Sequence, residues 1–119
     1  MKNLIKKIIA DILYLDEHEQ IDDNASLFIE LGLSSIDYID LCFELKQALN
    51  KDITQDNLWP INKMILDKHY YQDNQWTKQG WSQVCHILGL TETAESLPLS
   101  QLYQYFSVNY LNNRVKDLT

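Results

Sequence analysis

The amino-acid sequence predicts an all-α fold, and two observations lead to that prediction. Apolar side chains recur every three or four residues along several segments, which is the spacing of one face of a helix. The segments between them lack the alternating apolar and polar residues of a half-buried strand. With 119 residues and a hydrophobic content of 45%, the chain is long enough for one modest core. We therefore expect one domain, residues 1–119, folded as a helical bundle.

The first helix is predicted over residues 2–15, where the apolar residues form one stripe. The members of this stripe are Leu4, Ile5, Ile8, Ile9, Ile12 and Leu13. The periodicity fails over residues 16–34, so this segment is expected to be a long loop, with a short turn that ends at Gly32. Apolar residues within the loop, such as Ile21 and Leu27, indicate that it packs onto the core.

The second helix is predicted over residues 35–50. Five apolar residues at spacings of three or four are expected to form its buried face: Ile36, Ile39, Cys42, Leu45 and Leu49. Asp37, Asp40 and Glu44 follow the same spacings on a different side of the helix. The second helix is therefore expected to present an acidic face.

Three further helices are predicted, over residues 60–69, 77–88 and 98–113. Pro60 suits the first turn of the first of them, and the polar residues 72–75 separate that helix from the next. Thr77 is placed to cap the second of them, which is expected to end at Gly89. The apolar side of the last helix is expected to consist of Leu102, Tyr105, Phe106 and Tyr110.

The charge of the chain is acidic and unevenly spread. Its 17 acidic and 10 basic residues give a net charge of −7 and an isoelectric point near 4.7. Residues 1–57 hold 12 acidic and 5 basic residues, whereas residues 58–119 hold five of each. Such a chain repels nucleic acid and anionic membranes and favours basic protein surfaces. No stretch is long enough to insert into a bilayer. Cys42 and Cys85 are expected to be buried thiols of a cytoplasmic protein.

The stretch LGLSSID places two serines side by side at the start of the second helix. Ser34 as N-cap and Asp37 three residues later form a capping box. A hydrolase nucleophile elbow is excluded, because neither serine is followed two positions later by glycine. The histidines fit no base or metal-ligand spacing, and the three glycines form no phosphate loop. We therefore expect neither an enzyme nor a metal site, although another enzyme can modify such a serine.

The segment ASLFIELGLSSIDYIDLCFELKQAL resembles the modification segment of the acyl carrier protein family, in which the pattern F-x-x-LG-x-D-SL precedes an amphipathic helix. Phe28, Leu31 and Gly32 occupy the F and LG positions. Ser35 then falls on the serine that carries 4′-phosphopantetheine, with Ile36 in place of the usual leucine. The later segment PLSQLYQYF is similar to the pattern that opens the last helix of the family.

The resemblance implies an acyl-carrier-like four-helix bundle with a passive function. A phosphopantetheinyl transferase would attach the arm from coenzyme A to Ser35, and the terminal thiol would carry an acyl group as a thioester. The domain would present this group to acyl-activating, acyltransferase or ketosynthase-type enzymes with basic docking surfaces. Asp37, Asp40, Phe43 and Glu44 are expected to contact these partners, and the protein is expected to be a monomer.

The run SIDYIDL looks more like the discrete acyl carriers of fatty-acid, polyketide or specialised lipid synthesis than like peptidyl carriers, which usually show G-G-x-S-L. Ser34 stands where the family usually has aspartate, and Lys46 and Gln47 stand where it is commonly acidic. Two alternatives therefore stay open. One is a peptidyl carrier of nonribosomal synthesis, and the other is a carrier-like interaction module that is never modified.

Between the second and last helices the chain is much longer than the family pattern. We expect an extra helical insertion at about residues 56–96, which holds all three tryptophans, Trp59, Trp76 and Trp81. This segment is too aromatic for a disordered linker. It is expected to pack beside the bundle and to change which partners or chains fit, or else merely to enlarge the core.

Overall fold

The computed structural model describes residues 1–16, 20–91 and 95–118 and is mostly helical. Its α-helices are α1 (Lys2–Leu13), α2 (Ser35–Leu49), α3 (Gln55–Leu58), α4 (Ile61–Met64), α5 (Lys78–Leu88) and α6 (Val108–Asp117). The remaining elements are a 3-10 helix (Leu99–Tyr105) and a hairpin of two short strands, β1 (Tyr71–Gln72) and β2 (Gln75–Trp76). The prediction of an all-α fold is confirmed, apart from this hairpin. None of the described helices is both long and apolar enough to cross a membrane.

The bundle is formed by α1, α2 and α6, with the short α3 against both α2 and α6. The apolar stripe of α1 faces inward as predicted, since Ile5 and Ile9 are fully buried. This helix ends two residues earlier than predicted, because Tyr14 adopts a left-handed conformation with φ of 59° and its N–H bonds to the carbonyl of Ala10. Residues 17–19 of the predicted loop, including His18, lie outside the described residues.

The buried side of α2 differs from the prediction. Ile36 is 70% exposed and Ile39 is 47% exposed. The residues that are buried are Tyr38, Leu41, Cys42 and Leu45. This helix carries two apolar rows, and the periodicity alone fits either one. The row with Tyr38 is buried because its ring packs on Phe106 and its hydroxyl donates a 2.6 Å hydrogen bond to the carbonyl of Gln55, so that its polar end is satisfied.

The prediction of a single last helix over residues 98–113 is wrong. Its first part is the 3-10 helix, and the chain then leaves helical geometry at Phe106, where ψ is 89°. Ser107 causes the break, because its side chain accepts a 3.2 Å hydrogen bond from the N–H of Tyr110 and caps α6. The segment PLSQLYQYF therefore precedes the last helix instead of opening it.

The insertion contains a hairpin that the sequence analysis missed. The helix predicted over residues 60–69 is only the single turn α4. Asp73 and Asn74 join the two strands with φ of 52° and 62°. A two-residue loop with positive φ at both positions matches the twist of paired strands, and Asp and Asn tolerate that conformation. Across the hairpin Tyr71 pairs with Trp76, and their rings meet edge to face at 5.0 Å.

Helix α5 matches its prediction. Thr77 is its N-cap, and Gly89 ends it in the left-handed conformation with φ of 70°. The three tryptophans of the insertion, Trp59, Trp76 and Trp81, are 2%, 9% and 6% exposed. All three belong to the same apolar core as the bundle helices. The insertion therefore packs onto this core instead of standing apart from it.

We expect the Gly80→Ala variant to be destabilised, because α5 meets the backbone of the insertion at this glycine. A Cβ atom at residue 80 would overlap the carbonyl oxygen of Tyr70, and a backbone atom cannot rotate away as a side chain can. Alanine favours a helix over glycine by up to about 1 kcal/mol, and the overlap outweighs this gain. We expect a net loss of about 1–3 kcal/mol in the free energy of unfolding, measured by urea denaturation.

The matched control for this variant is Gln83→Ala, at an exposed position on the same helix. It should change the free energy of unfolding by no more than about 0.5 kcal/mol. Limited proteolysis should also cut the Gly80→Ala protein faster than wild type within residues 56–96. An unfolding midpoint that is the same in wild type and both variants would contradict the close contact between α5 and Tyr70.

Candidate functional site

Ser35 is the first residue of α2 and is exposed. The chain reaches it through Gly32, which turns in the left-handed conformation with φ of 73°. Leu33 is buried, and its N–H donates a 2.9 Å hydrogen bond to the carbonyl of Leu27. This residue anchors the loop to the core, so that the next two residues emerge at the surface. The hydroxyl of Ser35 therefore lies at a helix N-terminus, where the helix dipole favours negative charge.

Ser34 is engaged in a capping box at the same helix end. Its Oγ accepts a 3.1 Å hydrogen bond from the N–H of Asp37, and Oδ2 of Asp37 accepts a 2.9 Å hydrogen bond from the N–H of Ser34. This reciprocal pair satisfies two backbone donors that the first turn would otherwise leave open. The two neighbouring serines therefore differ, since Ser34 stabilises the helix and Ser35 is exposed and takes no part in the capping box.

The outer face of α2, formed by Ile36, Ile39, Asp40, Phe43 and Glu44, combines acidic and apolar side chains. Asp40 and Glu44 are exposed, and Phe43 is 58% exposed. The two isoleucines, which the sequence analysis placed inside, complete this face. Sequence reasoning missed them because their spacing fits a buried row equally well. The exposed apolar patch is larger than predicted and lies next to Ser35 along the helix.

A cleft of about 300 Å³ opens beside Ser35. Its lining residues are Phe28, Ile29, Ser35, Tyr38, Trp59, Asn62 and Tyr103. These side chains come from the loop before α2, from α2 itself, from the insertion and from the 3-10 helix. Sequence reasoning missed the cleft, because no local spacing links Phe28 with Trp59 or Tyr103. The fold alone brings these rings together at the serine.

Aromatic contacts hold the walls of the cleft in place. Phe28 lies 4.7 Å from Phe106 and meets Tyr103 edge to face at 5.5 Å, measured between ring centroids. Trp59 stacks on Tyr103 at 6.0 Å. Burial raises the pKa of the Tyr38 hydroxyl, so this wall carries a neutral phenol at physiological pH. The cleft is therefore an uncharged, mainly aromatic surface next to an exposed hydroxyl.

The two cysteines and His69 lie outside this cleft. Cys42 and Cys85 are buried free thiols, as predicted, and burial raises the pKa of Cys42, which keeps this thiol protonated. His69 pairs with Asp67 on the surface of the insertion at 3.0 Å. The described part of the chain contains no cluster of His, Cys, Asp or Glu that could hold a metal ion.

A helical bundle that presents an exposed serine at the N-terminus of an amphipathic helix has the architecture of a carrier domain. The family model described as the phosphopantetheine attachment site matches residues 3–62, which are 60 of the 119 residues. The chain therefore belongs to the phosphopantetheine-binding family, whose members are non-catalytic carriers of covalently attached 4′-phosphopantetheine. The resemblance to acyl carrier proteins is confirmed. No solved structure matches the chain.

Proposed function

We propose that the chain is a discrete acyl carrier protein and that Ser35 is the residue that carries 4′-phosphopantetheine. The observation that supports the proposal is the exposed position of Ser35. Ser35 is exposed in the first turn of α2, inside the matched segment, whereas Ser34 is used as the helix cap. The site suits the cofactor, because a helix N-terminus stabilises the negative charge of a phosphodiester.

Attachment is a group transfer in which Ser35 is the acceptor. Its oxygen bonds to the phosphorus of coenzyme A that bears pantetheine, the bond from that phosphorus to the bridging oxygen breaks, and 3′,5′-adenosine bisphosphate leaves. The serine proton passes to a base of the phosphopantetheinyl transferase. Once attached, the cofactor supplies a terminal thiol that holds an acyl group as a thioester. Ser35 thus contributes an accessible oxygen, and the transferase contributes the catalysis.

The partners dock on the outer face of α2. Asp40, Phe43 and Glu44 are exposed there, and Asp37 adds the carboxylate oxygen that the cap leaves open. Acidic residues attract basic docking surfaces and increase the rate of association. The partners are the transferase and acyl-activating, acyltransferase or ketosynthase-type enzymes with such surfaces.

The cargo is an acyl intermediate of fatty-acid, polyketide or specialised lipid synthesis, and the chain works as one domain, residues 1–119, in the cytoplasm as a monomer. The run SIDYIDL supports the discrete acyl carrier, and the shared apolar core of bundle and insertion supports the single unit. A peptidyl carrier would be modified in the same way but would accept an aminoacyl group. An interaction module would not be modified at all.

The proposal is tested by incubating the protein with coenzyme A and a promiscuous phosphopantetheinyl transferase, followed by intact mass spectrometry. We expect a gain of one phosphopantetheine, found after digestion on the peptide that contains Ser35. A known carrier in the same tube shows that the transferase is active. If that control is modified and this chain gains no mass, the proposal is wrong and an interaction module is favoured.

A further inference from the structure

We infer that the cleft beside Ser35 selects the cargo of this carrier and that the selected class is a short, planar acyl group, such as an aromatic or conjugated acid, over a saturated chain. The inference rests on the proposed attachment of the arm at Ser35. It adds a substrate class, which follows from the size of the cleft, the chemistry of its walls and their packing on the core.

The size of the cleft favours a short cargo. The cleft has a volume of about 300 Å³, which is at the lower end of the range of about 300–1,000 Å³ for small-molecule sites. A six-membered ring with its carbonyl and a short linker is small enough for such a site. A long fatty acyl chain exceeds it and would leave much of its length in water, where apolar surface is unfavourable.

The walls favour a ring over an alkyl group of the same size. Phe28, Tyr38, Trp59 and Tyr103 all line the cleft, and aromatic rings prefer edge-to-face or offset contacts with one another. The wall rings already meet in these geometries, as in the edge-to-face pair of Phe28 and Tyr103. A planar acyl group can join this set of contacts, whereas a saturated chain gains only from the burial of its surface.

The walls of the cleft also pack on the buried aromatic core. Trp59 is 2% exposed and meets both Phe106 and Tyr110 edge to face at 5.3 Å. Phe28 rests on the same fully buried Phe106. Because protein interiors are close-packed and resist deformation, a longer chain would have to displace the aromatic centre of the core.

Part of the cleft belongs to segments outside the bundle helices. Trp59 and Asn62 lie in the insertion, and Tyr103 lies in the 3-10 helix before α6. Asn62 brings an amide, which can donate or accept a hydrogen bond, to the otherwise mainly apolar lining. The segments between α2 and α6 therefore take part in choosing the cargo.

The test loads the protein with benzoyl-, hexanoyl- or palmitoyl-pantetheine arms from the corresponding coenzyme A thioesters and confirms each loading by intact mass. The rate at which hydroxylamine cleaves each thioester is then divided by the rate for the same thioester on free pantetheine. This ratio removes the intrinsic difference between aryl and alkyl thioesters. We expect the benzoyl group to be protected about twofold to tenfold more than the hexanoyl group, and the palmitoyl group to be the least protected.

Two variants assign any protection to the cleft. Tyr103→Leu removes one aromatic wall and should abolish the preference for benzoyl, whereas Tyr105→Leu, on the same 3-10 helix but outside the cleft lining, should preserve it. Ile29→Trp fills the mouth of the cleft from a position that is 61% exposed, so the fold should tolerate it, and it should abolish protection of every group.

The outcomes separate this inference from the proposed function. The cleft inference is overturned if the loaded protein shows no preference for benzoyl. It is also overturned if the preference survives both Tyr103→Leu and Ile29→Trp. Either result leaves the carrier function intact. Equal protection of all three groups shows that the arm itself fills the cleft and likewise overturns it. If no mass is gained while a control carrier is loaded, the attachment and the inference that rests on it both fail.

Discussion

The Ser35→Ala variant is expected to gain no mass with coenzyme A and a phosphopantetheinyl transferase, whereas the Ser34→Ala variant should be modified like wild type. The two residues are neighbours with the same hydroxyl group, but only Ser35 is free of the capping box. Removing the cap should cost about 1 kcal/mol in the free energy of unfolding. The Ser34→Ala protein should therefore be slightly less stable and still accept the arm.

Two measurements on each variant separate a loss of the attachment site from a loss of folding. Urea denaturation shows that both variants are folded, and intact mass shows which of them has gained the arm. A mass gain on folded Ser35→Ala protein would move the attachment site to Ser34 and overturn the assignment of roles to the two serines. Asp37→Asn provides a further control, because it weakens the cap from the other partner and leaves both hydroxyls in place.

Replacing Phe106 with alanine should destabilise the protein by about 3–5 kcal/mol, the range for loss of a buried phenylalanine. This ring is fully buried, and its centroid lies 4.7 Å from Phe28, 5.3 Å from Trp59, 5.7 Å from Tyr38 and 5.8 Å from Tyr110. It therefore connects the loop before α2, α2 itself, the insertion and α6. Since small domains have only about 5–15 kcal/mol of stability in total, much of the variant should be unfolded under mild denaturing conditions.

The matched control for Phe106→Ala is Phe43→Ala, the same change at a position that is 58% exposed. It should alter the free energy of unfolding by about 0.5 kcal/mol or less, and urea denaturation of the two variants side by side makes the comparison. Similar losses in both would mean that Phe106 is not the centre of the aromatic core.

The sequence alone predicted a helix and its buried side correctly where the helix has a single apolar row and clear capping residues. The stripe of α1 and the ends of α5, from Thr77 to Gly89, follow from such local patterns. The buried side of α2 could not be predicted in this way, because Ile36 and Tyr38 begin two rows of equal spacing. The choice between these rows depends on a tertiary partner, Phe106, that is distant in the sequence.

The start of α6, the hairpin and the cleft could not be predicted from local patterns. They depend on residues that are far apart in the chain or that have more than one conformational preference. Ser107 could continue a helix or cap a new one, and it caps α6. Asp73 and Asn74 could form any polar turn, and they join two strands. The matched serine motif identified the carrier, but the cleft beside it depends on residues up to 75 positions apart, from Phe28 to Tyr103.

The buried tryptophans allow the intrinsic fluorescence of the protein to report on the cleft. Trp59 lines the cleft, whereas Trp76 and Trp81 lie elsewhere in the insertion and are also shielded from solvent. With ultraviolet excitation of the unlabelled chain, we therefore expect a steady emission from Trp76 and Trp81 and an emission from Trp59 that depends on the occupancy of the cleft. A ring or thioester placed against Trp59 would quench that third signal. The occupancy of the carrier could thus be followed in real time, without a dye and without stopping the reaction.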